Sequence, residues 1–278
     1  MKAVLNKLPD TGGSGKGVSY YRSGSLCPKR VLLDEQLRAE QGTQTYGGKF
    51  AADVGTITHE LLRLYHTGIN DVVIELGDYN LSDEVAEAER LFRGYTKHFS
   101  ANVWGQVLGA EVQCPANDAE KAKLASFFYQ ELTARFDMVV RMSQEDVECW
   151  HQAGFIDLPG PGVYIVDHKT MARKESNLQL DYQTSDQFLA YPAMWDLLHP
   201  EEPCLGMIAN CLVRHKNITA DSFAQYFVPK ATPEQLASFN EWLETAATHI
   251  RGGWANRGAC LQGYMVCSHL TNGRCFRK

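Results

Sequence analysis

The 278-residue sequence predicts an α/β domain with a helical N-terminal part and a cysteine-bearing C-terminal tail, and three features lead to it. Residues 50 to 66 and 82 to 99 carry apolar side chains at the spacing of helices. From about Val107 the chain turns to short apolar, β-branched and aromatic runs of strand character, which then alternate with helical stretches as far as residue 250. Three of the eight cysteines fall in the turn-rich segment 260–278, which has little apolar periodicity of its own.

The elements follow in order. Near the start, "GGSGKG" has the look of a phosphate-cradling loop, but Asp10 stands where the first glycine of that pattern belongs and Gly17 where a Ser or Thr should hold magnesium. It is read as a flexible N-terminal segment. "FAADVGTITHELLRLYH" (50–66) predicts one helix, and "SDEVAEAERLFRGYTKHF" (82–99), with its Ser-x-x-Glu-like start, predicts another. Between Val107 and Val140 the runs "VLGAEVQ", "LASFFYQ" and "LTARFDMVV" predict neighbouring strands. The turn signal Pro159–Gly162 then introduces the strand "GVYIVDHKT". Residues 178–198 predict a helix that Pro192 kinks, "LGMIANCLVRH" and "SFAQYFVP" two more strands, and 232–250 a last helix. With no internal repeat, low-complexity tract or clear linker, residues 1–278 read as a single domain.

Bulk properties narrow the function. A formal net charge of −6 excludes a generally basic, nucleic-acid-coating protein, though not a local basic groove beside an acidic metal site. No apolar run approaches the roughly 20 residues that span a bilayer, and the N-terminus lacks a signal peptide's apolar segment, so a soluble, cytoplasmic protein without a membrane partner is expected. Eight cysteines in such a chain suit metal binding, redox chemistry or core packing better than a disulfide framework.

"VYIVDHKT" carries the chemistry. Residues i and i+2 of a strand share a face, so Asp167 and Lys169 project together while His168 points away. Taken alone, this D-x-K reads as a strand-end ion pair. Asp137 alters that reading, because it sits in the otherwise apolar run "TARFDMVV" one hairpin upstream. Two carboxylates converging at strand ends repel unless a cation lies between them, and oxygen-rich sites of this kind suit magnesium or manganese. Lys169 can then orient a water and neutralise charge building on a phosphate. In "GTITHELL", His59 lies on the first predicted helix, from which a neutral imidazole can reach the metal. Glu111 in "GAEVQ" is ambiguous by itself.

Taken in order, "GTITHELL" with His59, the strand glutamate Glu111, "ARFDMVV" with Asp137, "VDHKT" with Asp167 and Lys169, and "QFLAY" with Gln187 and Tyr191 resemble the motifs of the PD-(D/E)XK nucleases. Within that superfamily the resemblance is to the RecB-like branch, which includes CRISPR-associated adaptation nucleases and the nuclease domains of bacterial recombination helicases. The resemblance runs from about Gly55 to Tyr191. It implies a restriction-endonuclease-like core, a central mixed β-sheet flanked by helices. It further implies that His59, Asp137 and Asp167, with the His168 backbone carbonyl, hold Mg2+ or Mn2+, and that Lys169 assists the attacking water. Glu111, Gln187 and Tyr191 would support the site, the last two from one helix face, although Phe188 and Tyr191 also suit a core. One departure is Ala134, where relatives commonly carry Gly.

The cysteines extend the resemblance. Cys260, Cys267 and Cys275 need a fourth ligand, and Cys27 in "GSLCPKRVLL" is the best candidate. In several RecB-like nucleases one cysteine before the nuclease motifs and three after them hold a [4Fe-4S] cluster, and this arrangement is similar. The spacing C-x6-C-x7-C is wider than the C-x2-C-x5-C of those relatives. Zn2+ bound by the same cysteines, or with His269 replacing one, is the alternative. Cys114 and Cys149 read as packing residues, as do Cys204 and Cys211.

The function expected from all this is a metal-dependent deoxyribonuclease. It would be an exonuclease on single-stranded DNA or DNA ends, in recombination, repair or phage DNA processing, in the cytoplasm of a bacterium or phage-infected host. Lys29, Arg30, Arg135, Arg173 and Lys174 are candidates to guide the phosphate backbone, or else an ordinary solvated face. The chain has no helicase motif, so unwinding would fall to a recombination or helicase partner. A non-catalytic DNA-end-binding scaffold is the alternative, which the intact acids and lysine disfavour, and an RNA-directed nuclease would use the same metal chemistry.

Overall fold

A computed structural model describes residues 2–6, 17–18, 21–22, 50–69, 71–76, 81–154, 158–173 and 177–252. Contacts divide the chain into two units: Met1–Pro9, Thr45–Val112 and Arg135–Ala231 form the first, and Asp10–Gln44, Gln113–Ala134 and Thr232–Lys278 the second.

The first unit contains the sheet. Its short β1 (Lys2–Leu5) pairs in parallel with β2 (Asp71–Ile74). A five-stranded sheet has the order β3 (Gln106–Cys114), β4 (Ala134–Met142), β5 (Gly162–Met171), β6 (Cys204–Val213), β7 (Phe223–Pro229). The pairs β4–β5 and β6–β7 are antiparallel and β5–β6 is parallel, so the sheet is mixed and β5 is central. Central position explains its sequence: Val163 to Val166 are all buried, since both faces of the strand are covered.

One face buries Met138, Val140, Tyr164, Val166, Ile208 and Phe227 together with Trp104 and Trp150, whose rings stack with centroids 4.5 Å apart. Helix α1 (Phe50–His66) lies against β5, and its buried Val54, Ile57 and Leu61 meet Leu91 and Ala88 of α2 (Ser82–His98) at helical spacing. Helix α4 (Gln144–Gln152) opens on a capping box in which Ser143 and Asp146 exchange bonds. Toward β6 and β7 lie α5 (Leu178–Gln183) and α6 (Asp186–Leu198).

The second unit holds α3 (Asp118–Phe128) and α7 (Pro233–Gly252). Phe128 meets Phe239 edge-on at 6.1 Å, and Asn240 Nδ2 donates to the Phe127 carbonyl at 3.3 Å.

The predicted α/β class, its strands at "VLGAEVQ", "LTARFDMVV", "GVYIVDHKT", "LGMIANCLVRH" and "SFAQYFVP", and its two early helices are all present. Three expectations need correction. "LASFFYQ" is the end of α3: the Asn117 side chain caps that helix by accepting from Glu120 N at 3.0 Å, and the local signal of this start outweighs a short apolar run. Residues 178–198 form two helices, parted at Thr184–Ser185, where Thr184 Oγ1 turns back to the Leu180 carbonyl, while Pro192 stays inside α6. Ser82 begins α2 without capping it; Leu81 is the cap residue and gives no side-chain bond. The strands β1 and β2 and the helix α4 were not predicted, the first two because four-residue strands are too short to show a period. The "GGSGKG" segment, apart from Gly17, and the tail 260–278 lie outside the described residues.

Candidate active site

The β4–β5 register runs from Met142↔Gly162 to Met138↔Val166, and Asp137 and Asp167 are the next residues on each strand. There a side chain takes over from the backbone ladder: Asp137 Oδ2 accepts the His168 N–H at 2.8 Å. Asp167 is 3% exposed. Its Oδ1 accepts from Gln187 Nε2 at 2.8 Å, and Lys169 Nζ stands 2.6 Å from its Oδ2. Lys169 also donates to Gln187 Oε1 at 3.4 Å, so the Gln187 amide bridges acid and lysine. From α1, His59 Nδ1 comes within 3.4 Å of Asp137 Oδ2. A close helix–strand approach makes that reach possible. Gly55 sits one turn before His59, and a Cβ added there would lie 2.9 Å from Thr170 Oγ1.

Electrostatics in this cluster are unbalanced. Burial pushes both Asp137 and Asp167 above the usual carboxylate range; Lys169 opposes the shift in each, and the two acids' mutual repulsion adds to it at Asp167. Burial works against the charge on Lys169, yet Asp167 and Asp137 outweigh it and the net direction is upward, so Lys169 is an ammonium. Burial, then Lys169, lowers His59 to about 4, leaving a neutral imidazole. Asp167 Oδ2 is buried, and its partner is the Lys169 ammonium 2.6 Å away. Two buried acids that share one ammonium are a fit for a divalent cation.

Among the described residues no group of three His, Cys, Asp or Glu side chains is gathered as a metal cage. Two carboxylates with a backbone carbonyl suit Mg2+ nevertheless, since that ion is ordinarily held by one or two carboxylates plus waters and substrate phosphates. Asp137, Asp167, the His168 carbonyl and His59 are the groups that could hold it.

Glu111 lies on β3 with φ +53°, a left-handed conformation unusual for this residue type. Burial first, then Asp137, raises its carboxyl to about 7, while Arg135 opposes the shift. Arg135 Nε pairs with Glu111 Oε2 at 2.8 Å. Tyr191 is 9% exposed and meets Phe136 edge-on at 5.1 Å, while Phe188 is 1% exposed. Arg173 is exposed just after β5. The structure therefore brings together His59, Asp137, Asp167, Lys169 and Gln187, sets Glu111 and Arg135 beside them as a pair, and packs Tyr191 on Phe136. Cys27, Cys260, Cys267, Cys275, His269, Lys29, Arg30 and Lys174 lie outside the described residues.

The reverse face of β5 was not foreseen. The His168 ring is 2% exposed, 5.9 Å from His59 and 6.1 Å from His66, between ring centroids. Asn210 Nδ2 donates to His168 Nδ1 at 2.9 Å, and Gln225 Nε2 donates to Asn210 Oδ1 at 3.1 Å. The Tyr95 hydroxyl lies 3.2 Å from His66 Nε2 and accepts from Trp104 Nε1 at 3.1 Å. The signal that singled out Asp137, a polar residue in an apolar strand, was equally present at Asn210 in "GMIANCLV". A cleft of about 590 Å3 beyond His66, lined also by Thr67, Gly68, Asn102 and Val107–Ala110, contains none of the carboxylates.

A helix-flanked mixed sheet with acids and a lysine gathered where its central strands part is a restriction-endonuclease-like core. Residues 18–265 match the family model of the PD-(D/E)XK nuclease superfamily, and the chain belongs to that superfamily. Membership implies a metal-dependent nuclease. No curated protein matches the chain. Among the described residues no helix is long and apolar enough to cross a membrane.

Proposed function

We propose that the protein is a divalent-metal-dependent deoxyribonuclease, an exonuclease on single-stranded DNA or DNA ends, working in recombination, repair or phage DNA processing. The observation that carries the reading is the buried pair Asp137 and Asp167 with Lys169 held on Asp167 Oδ2, an acid pair whose charge the chain does not itself balance.

Asp137, Asp167 and the His168 carbonyl, with His59, would hold Mg2+ or Mn2+. When bound, the ion supplies charge neutralisation at the scissile phosphate and a more acidic water. Lys169, being protonated, donates to the attacking water and to the phosphate oxygen as negative charge builds; it does not serve as a base. Gln187 holds Asp167 and Lys169 in one geometry through its two amide atoms. Neutral His59 leaves a lone pair available, and the Glu111–Arg135 pair shapes the wall beside Asp137.

Cys27, Cys260, Cys267 and Cys275 would hold a [4Fe-4S] cluster, with Zn2+ as the competing occupant, joining the two ends of one nuclease domain. The support is three thiols gathered in a tail with little apolar periodicity. The matched region covers Cys27 and Cys260 and ends before Cys267 and Cys275. Lys29, Arg30, Arg173 and Lys174 would guide the DNA backbone, and a recombination or helicase partner would supply single strands.

The test is an end-labelled cleavage assay on single- and double-stranded DNA and on RNA with Mg2+ or Mn2+, using anaerobically purified protein whose visible spectrum is recorded. Release of labelled mononucleotides from DNA ends supports the reading. Internal cutting or preference for RNA revises the substrate, and undiminished cleavage by Asp167→Ala or Lys169→Ala overturns the site. A colourless protein containing zinc removes the cluster.

A further inference from the structure

Around His168 this face of the sheet is apolar along its own strand and the next: Tyr164 and Val166 precede it on β5, and Ile208 and Leu212 flank Asn210 on β6. An apolar pair at these two positions would fill the core at no loss, because replacing both partners of a buried hydrogen bond by apolar groups of similar shape is close to neutral. Stability alone therefore does not call for a fully buried histidine hydrogen-bonded to a fully buried asparagine.

Their placement supplies a reason. His168 and Asn210 are register partners across β5 and β6, and Asn210 and Gln225 are register partners across β6 and β7. Gln225, Asn210 and His168 thus form a side-chain row across three strands that ends at the catalytic strand. At that end His168 is engaged through both its backbone and its ring: its N–H holds Asp137 Oδ2 at 2.8 Å, and its ring is fixed by Asn210 at 2.9 Å. Because Asn210 donates to Nδ1 the imidazole is the Nε2–H tautomer.

We infer that Asn210 is a positioning residue for the metal site: by anchoring the His168 ring on the reverse face, it fixes the His168 peptide, whose N–H aims Asp137 and whose carbonyl would be among the groups holding the metal. The inference rests on the proposed metal-dependent reading of Asp137 and Asp167. Groups that orient ligands in this way typically change metal affinity about 10- to 100-fold when removed.

The experiment measures Mn2+ affinity of the full-length protein by electron paramagnetic resonance, alongside the Mn2+ concentration for half-maximal DNA cleavage. Asn210→Leu keeps the volume and removes the donor; Asn210→Ser, smaller and easily accommodated, serves if the leucine variant does not fold. Trp104→Phe removes a bond of the neighbouring buried set formed by His66, Tyr95 and Trp104 and controls for a merely structural effect. The expected result is Mn2+ binding about tenfold weaker in the Asn210 variant, the same rise in half-maximal Mn2+, a turnover within about threefold of wild type at saturating metal, and wild-type affinity in Trp104→Phe. Wild-type Mn2+ affinity in the Asn210 variant, or equal weakening in Trp104→Phe, overturns the inference while leaving the nuclease reading intact. Absence of Mn2+ binding in wild type, or binding unaffected by Asp167→Asn, removes the nuclease reading and this inference with it.

Discussion

The two faces of β5 are both buried and both polar near residue 168, yet they are finished differently. On the Asp167–Lys169 side two buried acids share one ammonium, and the mutual repulsion of the acids is left in place. On the His168 side every named group is neutral and partnered, from Gln225 through Asn210 to His168, and from Tyr95 to His66 and Trp104. Burying an unbalanced charge is costly, and burying a satisfied neutral network is cheap. The difference teaches that the chain closes its own books on the face that holds the backbone still, and leaves the opposite face to be completed by a cation and substrate.

Breaking the unfinished face should have the largest effect. Asp167→Ala and Lys169→Ala are each expected to lower metal-dependent DNA cleavage by about 1000-fold, the upper range for removal of one preorganised electrostatic group. Single-turnover cleavage with saturating Mg2+ measures it. A loss below about tenfold in Lys169→Ala would show that the ammonium only balances Asp167.

Much of this face could be read from the chain, because its residues are anomalies: acids in apolar strands, a lysine two residues from an acid, a glutamine four before a tyrosine on a helix. The strand periods were legible for the same reason, being long and apolar. Gln187's bridging role was legible only as a position, since the bond to Asp167 depends on where α6 begins, and that is set by the break at Thr184–Ser185. The satisfied face was hidden because its members are scattered over α1, α2, β5, β6 and β7, and each alone reads as an ordinary core histidine, tyrosine or asparagine. Gly55 was visible in "GTITHELL", but its use, a close approach to Thr170, needs the helix and strand together.

The satisfied face breaks with acid. Burial lowers His66 to about 4, against an unfolded value near 6.5. A folded pKa below the unfolded one means that the unfolded chain binds the extra proton first. The contribution of His66 is therefore complete above about pH 6.5 and is lost as pH falls toward 4, a change of about 3 kcal/mol. His168 shifts in the same direction and steepens the slope. Urea unfolding at pH 7 and pH 4.5 measures the loss, and His66→Gln should remove about one proton from the pH dependence. A His66→Gln slope equal to wild type would mean that His66 is already open to solvent protons.

The unfinished face should respond to neutralisation in the opposite sense. Asp167 has a raised pKa, so the folded protein prefers its protonated form and loses stability as pH rises through that pKa. Asp167→Asn mimics the protonated acid. In metal-free buffer at pH 7 it should raise the melting midpoint by about 2 to 4 °C, the shift expected for roughly 1 kcal/mol, while abolishing cleavage. Lys169, with its side chain 33% exposed, can turn to water when its partner is neutral. A lower midpoint would show instead that the ion pair holds the strand end together.

The smallest effect concerns the seam between the faces, where α1 brings His59 over β5. Alanine is favoured over glycine within a helix by about 0.5 to 1 kcal/mol, so Gly55→Ala ought to stabilise α1 if there were room. There is little: the new Cβ would stand 2.9 Å from Thr170 Oγ1, and a β-branched threonine has few rotamers to give way with. The two terms oppose each other, so Gly55→Ala alone should change stability by less than about 0.5 kcal/mol while pushing His59 away from Asp137 and lowering cleavage several-fold. Removing the obstruction separates the terms. Gly55→Ala in a Thr170→Ala background should recover both the full helix gain in urea unfolding and the cleavage rate of Thr170→Ala alone. If Gly55→Ala slows cleavage equally in both backgrounds, the glycine is required for something other than this approach, and the position of His59 is not set by the α1–β5 seam.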